Sequence, residues 1–204
     1  FSFLNTELLK RNLTHYGNFV IKDDPVLIQN CFNLILQDPK SVMFCFGGIG
    51  ATPDDLTRAI ASEVFTGQSL CLQPQAKVLI EGQFKDQAYP HRISMAMLPP
   101  HCELLPNVIN RVPGFSLFNR FFFTPGFPSM AWPMVTYALD TFFPSQKQLF
   151  HKSFVVESSE SDLLEIMEAL PKELEFSSLP RFLGEKREVE IYLAHQDEKE
   201  VLFW

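Results

Sequence analysis

Val42-Met43-Phe44-Cys45-Phe46-Gly47-Gly48-Ile49-Gly50-Ala51-Thr52-Pro53-Asp54-Asp55-Leu56-Thr57 is the stretch that decides how the rest of the chain is read. The run Val42 to Phe46 has the length and two-sided hydrophobicity of a strand buried on both faces, and the glycines mark its end. Three glycines in four residues allow positive φ and bring bare backbone N–H groups against a ligand. Thr52 or Asp54 is placed to cap a helix over Leu56 to Val64. Strand, turn and helix start together make an anion cradle, because the first amides of a helix and its dipole favour phosphate. Asp54 and Asp55 set two negative charges beside that cradle, so a phosphate there calls for a divalent cation, Mg2+ or similar, to bridge them. The expected ligand is a metal-assisted phosphate or pyrophosphate ester.

Working outward, 204 residues suit one domain of ordinary size plus a small appendage. A chain that is 46% hydrophobic and 20% charged is globular rather than disordered. No apolar run approaches the roughly 18 residues of a membrane span, and nothing reads as a signal peptide. Cys31, Cys45, Cys71 and Cys102 form no Cys-x-x-Cys pair, which points to reduced thiols in a cytoplasmic protein and away from a zinc site. Residues 1–150 carry 11 acidic and 11 basic side chains, whereas residues 151–204 carry 13 and 6, so the net charge of −7 lies in the tail. That shift marks a second module, and its sign disfavours nucleic acid as a partner.

Phe1 to His15 reads as a helix from the spacing of Phe1, Leu4, Leu8 and Leu9. Asp23 and Asp24 precede a helical stretch, Val26 to Leu36, which they either cap or leave free for a ligand. Glu63 to Glu81 is helical with a turn at Thr66 to Gln68, Pro74 starting the second helix. From Gly82 to Phe118 five prolines impose extended segments and turns. His91, Arg92, Asn107, Asn110 and Arg111 gather there, suited either to the polar end of a ligand or to tying a surface loop. Arg120 to Phe123 is a second buried strand, closed by the turn Thr124 to Pro128, with Pro133 in the first turn of the following helix and Trp132 packing. The tail reads strand (152–157), helix (162–170), strand (175–179) and strand (188–194), with an apolar terminus from Val201 to Trp204.

The phrase from Gly47 to Thr57 resembles the signature of the CinA (competence/damage-inducible protein A) type, within the MogA/MoaB molybdopterin-binding superfamily. Further matching blocks are Ala88 to Arg92, Leu105-Pro106-Asn107, Asn110 to Phe115, and Pro125-Gly126-Phe127-Pro128 leading to Met134. The resemblance implies a three-layer α/β/α sandwich over residues 1–148, followed by a small α+β, KH-like subdomain over 149–204. Ser178 to Phe182 matches the family there, and the Gly-x-x-Gly loop by which KH modules clamp RNA is missing. The likeness also implies hydrolysis of a nucleotide pyrophosphate such as ADP-ribose or FAD, or binding of molybdopterin; a catalytically silent nucleotide module is the third reading. In the hydrolytic version Asp23, Asp54 and Asp55 are catalytic and Asp24, Asp54 and Asp55 hold the metal. Gly47, Gly48, Gly50, Thr52, Thr57, Asn110, Pro125 and Gly126 hold the nucleotide or pterin phosphate.

Two departures bear on these expectations. Phe46 stands where the family has a threonine before Gly-Gly. The family's opening strand and Gly-Asp-Glu turn are missing, and the connection Asn18 to Lys22 is short, so the numbering is expected to skip residues. Self-association is common in the superfamily, and Phe118, Phe142, Phe143, Phe150, Phe203 and Trp204 exceed what the strand cores need, so a homo-oligomer is expected.

Overall fold

Phe121, Phe122 and Phe123 are each fully buried, which consecutive strand residues achieve only when both faces of their sheet are covered. A computed structural model, which describes residues 2–144, 150–183 and 186–204, shows the covering layers. The chain divides into two units, Phe1–Pro144 and Ser145–Trp204; the expected join at 148/149 lies outside the described residues. In order, the first unit contains α1 (Ser2–Leu9), α2 (Pro25–Gln37), β1 (Met43–Phe46), α3 (Thr57–Thr66), β2 (Cys71–Leu72) and α4 (Pro74–Phe84). Then come β3 (Met97–Leu98), β4 (Glu103–Leu105), β5 (Gly114–Leu117), β6 (Phe121–Thr124) and α5 (Pro128–Phe142).

The main sheet has the order β1-β6-β5-β4. β1 and β6 are parallel, Met43 opposite Phe121 and Phe46 opposite Thr124, and the other pairs are antiparallel. Side chains alternate between faces. Met43, Phe115, Leu117, Phe121 and Phe123 share one cluster with Ile28 and Phe32 of α2, Ala61 and Phe65 of α3, and Ala76 and Ile80 of α4. Phe65 stacks on Phe121 with ring centroids 4.1 Å apart. On the other face, Phe122 and Phe44 pack against Met134 and Ala138 of α5, and Leu8 of α1 joins Val135 and Leu139. The result is the α/β/α sandwich expected.

The elements start and stop for local reasons. The Asp24 carboxylate accepts from the amides of Val26 and Leu27, both at 3.0 Å, and Pro25 fills the first helical position of α2. Gly67, at φ 66°, ends α3 by donating to the Glu63 carbonyl. Arg120 fixes the entry to β1: its Nε donates to Ser41 O at 2.5 Å, its Nη2 to the Ile35 and Asp38 carbonyls, and it lies over the Phe121 ring. All four cysteines are free, and burial pushes the Cys45 thiol up to about 12, so it acts as a small hydrophobe.

Some expectations are corrected. α1 ends at Leu9 rather than His15, because the chain turns at Asn12 with φ 55° and Leu13 N–H returns to Leu8 O. β1 is covered on both faces, at Met43 by the α2 and α3 side and at Phe44 by α5, except at its last residue, Phe46, which is 43% exposed. Pro133 lies inside α5, not in its first turn, and the segment after α4 holds two short 3-10 turns, Lys85–Ala88 and Arg92–Ala96.

The second unit contains β7 (Phe150–Val156), α6 (Glu160–Ala169), β8 (Glu175–Leu183), β9 (Lys186–His195) and α7 (Glu198–Phe203), with an antiparallel sheet ordered β7-β9-β8. Leu174, Val189, Ile191, Leu193 and Val201 make its core. Of the aromatics set aside for association, Phe142 and Phe143 pack on Phe122 and Phe150 joins the core of its own unit, whereas Phe118 and Phe203 are exposed.

Candidate functional site

Because β1 and β6 run parallel and end in register, the chain leaves both strands at the same edge of the sheet. Gly47 N–H donates to Thr124 O at 2.9 Å, continuing the ladder by one residue. A Cβ placed on Gly126 would lie 3.6 Å from the Gly47 Cα, so the two turns face each other with room for about one carbon atom between the glycines. One turn leads to α3 and the other directly into α5. In an open sheet of this kind the crevice outside the carboxyl ends of the strands is where ligands bind.

Gly47 and Gly48 both have positive φ, 96° and 70°. Thr57 N–H donates to Gly48 O at 3.1 Å, and the space a Gly48 Cβ would fill is taken by Thr57 Oγ1 at 2.1 Å. At Gly50 the Asp55 carboxylate occupies that space, 2.5 Å away. The glycines therefore let the turn fold onto Thr57 and Asp55. Neither Thr52 nor Asp54 caps α3, whose N-cap position is Leu56 without a side-chain bond. Instead Asp55 closes the turn, accepting from the Thr52 amide at 2.8 Å and the Thr52 hydroxyl at 2.6 Å.

Burial opposes ionisation of Asp55, but the bonds from Thr52 and the Gly50 amide, with the charge of Arg58, outweigh it and hold the carboxyl below its ordinary value. A group depressed in this way stabilises the fold fully above its unfolded pKa, about 4, and loses that contribution as pH falls through its lower folded value. Asp55→Asn is accordingly expected to cost about 1–2 kcal/mol at neutral pH. In urea titrations the gap to the parent chain should narrow as pH drops below about 4; a gap of constant size would contradict this role.

Arg58, which sequence reasoning passed over, is buried beneath the turn. Its Nη2 donates to Gly50 O at 2.6 Å and its Nη1 to the carbonyls of Met97, at 3.0 Å, and Ser94. One guanidinium thus pins the glycine turn to the segment leading into β3. Its only advance signal was a cation one residue into a helix, and the partner carbonyls 36 and 39 positions onward leave no local mark.

The remaining candidates divide. Asp23 and Asp54 are exposed, while Asp24 is engaged as the cap of α2. Among the described residues no three His, Cys, Asp or Glu side chains come together as a metal-binding group. Asn110 accepts from Asn107 Nδ2 at 2.7 Å and from the Val112 amide at 3.1 Å, shaping the loop between β4 and β5. Its own amide nitrogen lies 3.6 Å from the Met130 sulfur, which brings that loop to the first turn of α5. Asn107 is buried, Arg92 lies over the Phe84 ring, and His91 and Arg111 are exposed. Trp132 stacks on Phe3 at 4.8 Å, so it packs as expected.

Comparison with known proteins agrees with this architecture. The sequence profile of the family described as "Probable molybdopterin binding domain" matches residues 2–144. A CinA-like protein of Syntrophotalea carbinolica is 33% identical over 135 residues, 61% of this chain and 32% of its own length. One from Acaryochloris marina is 31% identical over 133 residues, 62% and 31% of the two chains. The chain spans about a third of the length of these curated relatives. A crystal structure of the protein CinA with unknown function, from Thermoplasma acidophilum, superposes with a TM-score of 0.61 at 25% identity, over 69% of this chain and 85% of that one.

Proposed function

The chain belongs to the probable molybdopterin binding domain family, and from that premise we propose that its two facing turns hold the phosphate end of a nucleotide or pterin ligand. The supporting observation is the close approach of the Gly47 and Gly126 turns, joined by the Gly47 N–H to Thr124 O bond, at the carboxyl ends of two parallel strands. The Gly50 amide faces the Asp55 carboxylate and favours its ionised form. The amides offered to phosphate are therefore those of Gly48 and of Ser129, the first residue of α5 with an N–H after Pro128.

Turnover of a nucleotide pyrophosphate of the ADP-ribose or FAD class is the finer reading. Its donor set is thin, because Asp24 caps α2 and Asp55 closes the turn, leaving exposed Asp23 and Asp54. Such a set suits a Mg2+ ion carried in by the ligand's own phosphates and met by Asp54, rather than a resident metal. When bound, the ion would neutralise charge on the leaving phosphate. The same engagement of Asp24 and Asp55 favours a second reading, binding without turnover.

One titration separates these readings. ADP-ribose, FAD, NAD and pyrophosphate are each added with and without Mg2+. A ligand at a hundred times its Kd should raise Tm by about 5–10 °C. Release of AMP by the parent chain, lost in Asp54→Asn, supports turnover. Stabilisation without release supports binding alone, and no stabilisation by any of these ligands or by molybdopterin overturns the phosphate reading.

A further inference from the structure

We propose that Phe46 and Phe127 form an aromatic platform that stacks the planar ring of the ligand, a nucleobase, flavin or pterin, whose phosphate end lies at the adjoining turns. This rests on the phosphate reading above and assigns the ring a place beside it.

Strand alternation puts Phe46 on the same face of the sheet as Phe44, and Phe44 stacks on Phe122 with centroids 5.0 Å apart, on the α5 side. Phe127 is the N-cap residue of α5. Phe46 directly precedes Gly47 and Phe127 directly follows Gly126, the two glycines that face each other across the turns. Phe46 and Phe127 therefore flank the point where β1 and β6 end, beside the first amides of α5. Both are open to solvent, 43% for Phe46 and 66% for Phe127, while Phe121, Phe122 and Phe123 of the neighbouring strand are fully buried.

Phe46, at the end of an edge strand, and Phe127, at the start of α5, thus keep much of their ring surface free for a ligand. A third apolar wall is at hand: Ile109, 57% exposed, sits on the loop that Asn110 brings to Met130 in the first turn of α5. A phosphate or sugar gains nothing from such a rim. A flat heteroaromatic ring gains stacking, and stacking tolerates any base or pterin because each has a π-face. Phe46 also offers no hydroxyl to a phosphate, so at this position the chain favours the ring end of the ligand over its charged end.

The test measures equilibrium binding of FAD, from its fluorescence and visible absorbance, and of inorganic pyrophosphate, by calorimetry, to the parent chain and to Phe46→Ala, Phe127→Ala, Phe46→Leu and Phe46→Tyr. Stacking predicts that each alanine variant weakens FAD about tenfold or more and leaves pyrophosphate within twofold. Phe46→Leu should behave as the alanine variant and Phe46→Tyr as the parent. Quenched and red-shifted flavin bands on the parent chain give a readout that needs no variant. Unchanged FAD affinity in both alanine variants, or absence of flavin quenching, overturns the platform and leaves the phosphate reading standing. An equal loss of both probes at unchanged Tm also overturns it, because the rings would then only shape the turn. If neither probe binds the parent chain, the phosphate reading and the platform fall together.

Discussion

Gly48→Ala is expected to destabilise the first unit by about 2–4 kcal/mol and to abolish phosphate binding. A non-glycine residue at φ 70° costs about 1–2 kcal/mol. The new methyl would also stand 2.1 Å from Thr57 Oγ1 and 3.0 Å from Thr57 Cβ, and forcing a filled site apart costs typically about 1–3 kcal/mol. Thr57 has little room to yield, being buried at the first residue of α3 with its N–H bonded to Gly48 O. Adding Thr57→Ala should recover the steric part and not the backbone part. Gly82→Ala, inside α4 with nothing within 4 Å of the new methyl, serves as the opposite control and should stabilise by about 0.5–1 kcal/mol. Trp132 lies in the first unit and Trp204 in the second, so fluorescence of a Trp204→Phe background follows the relevant unit alone. A Gly48→Ala chain within about 0.5 kcal/mol of its parent would overturn the account of the turn.

The second large effect is expected at Arg58. Truncation to alanine removes the shared donor of the Gly50, Ser94 and Met97 carbonyls beneath the turn. Hydrogen bonds from a charged group contribute about 1.5–3 kcal/mol each, and buried acceptors left bare add desolvation, so a loss of roughly 3–5 kcal/mol is expected even after partial relaxation. Burial works against the charge of Arg58, pushing its pKa down, with Asp55 opposing that shift. Its Nε has no partner among the described residues. Arg58→Lys should recover only part of the loss, since a point ammonium cannot span three carbonyls as the planar fork does. Urea midpoints for Arg58→Ala, Arg58→Lys and Asp55→Asn, singly and paired, also measure how far the cation and the carboxylate act together. A cost below about 1 kcal/mol for Arg58→Ala would mean that the turn holds without it.

What could be read from the sequence was what local chemistry decides. The apolar run ending at Phe46, the glycines after it, the Asp24-Pro25 helix start and the Pro125-Gly126 turn all carry their reasons within a few residues. The uneven charge of the tail likewise announced a separate unit. Features set by distant partners escaped, among them Arg58, whose carbonyl partners lie 36 and 39 positions onward. Asp55 reads as a metal ligand from two adjacent aspartates beside glycines, and the folded turn adds that its carboxylate accepts from Thr52. The β2–β3 pairing sets Cys71 opposite Leu98 and Leu72 opposite Met97 in strands of two residues, too short for any periodicity to register. Pro133 looked like a helix start because proline favours first turns, but Pro128 already occupies that place in α5.

The parallel pairing of β1 with β6 also sets an order of assembly. β5 and β6 are joined by a tight turn at Phe118-Asn119, both at positive φ, and can pair from local contacts alone. β1 must find β6 across a long loop: Cys45 and Thr124, bonded at the top of the pair, are 79 positions apart. Loop closure of that length is slow and comes after the hairpin has formed. Gly47 and Gly126 meet only at that closing step, so a nascent chain lacks the proposed phosphate cradle until β1 has paired with β6. A ligand spanning the two turns would then act as a latch on the finished fold, slowing its opening while leaving the rate of its formation nearly unchanged.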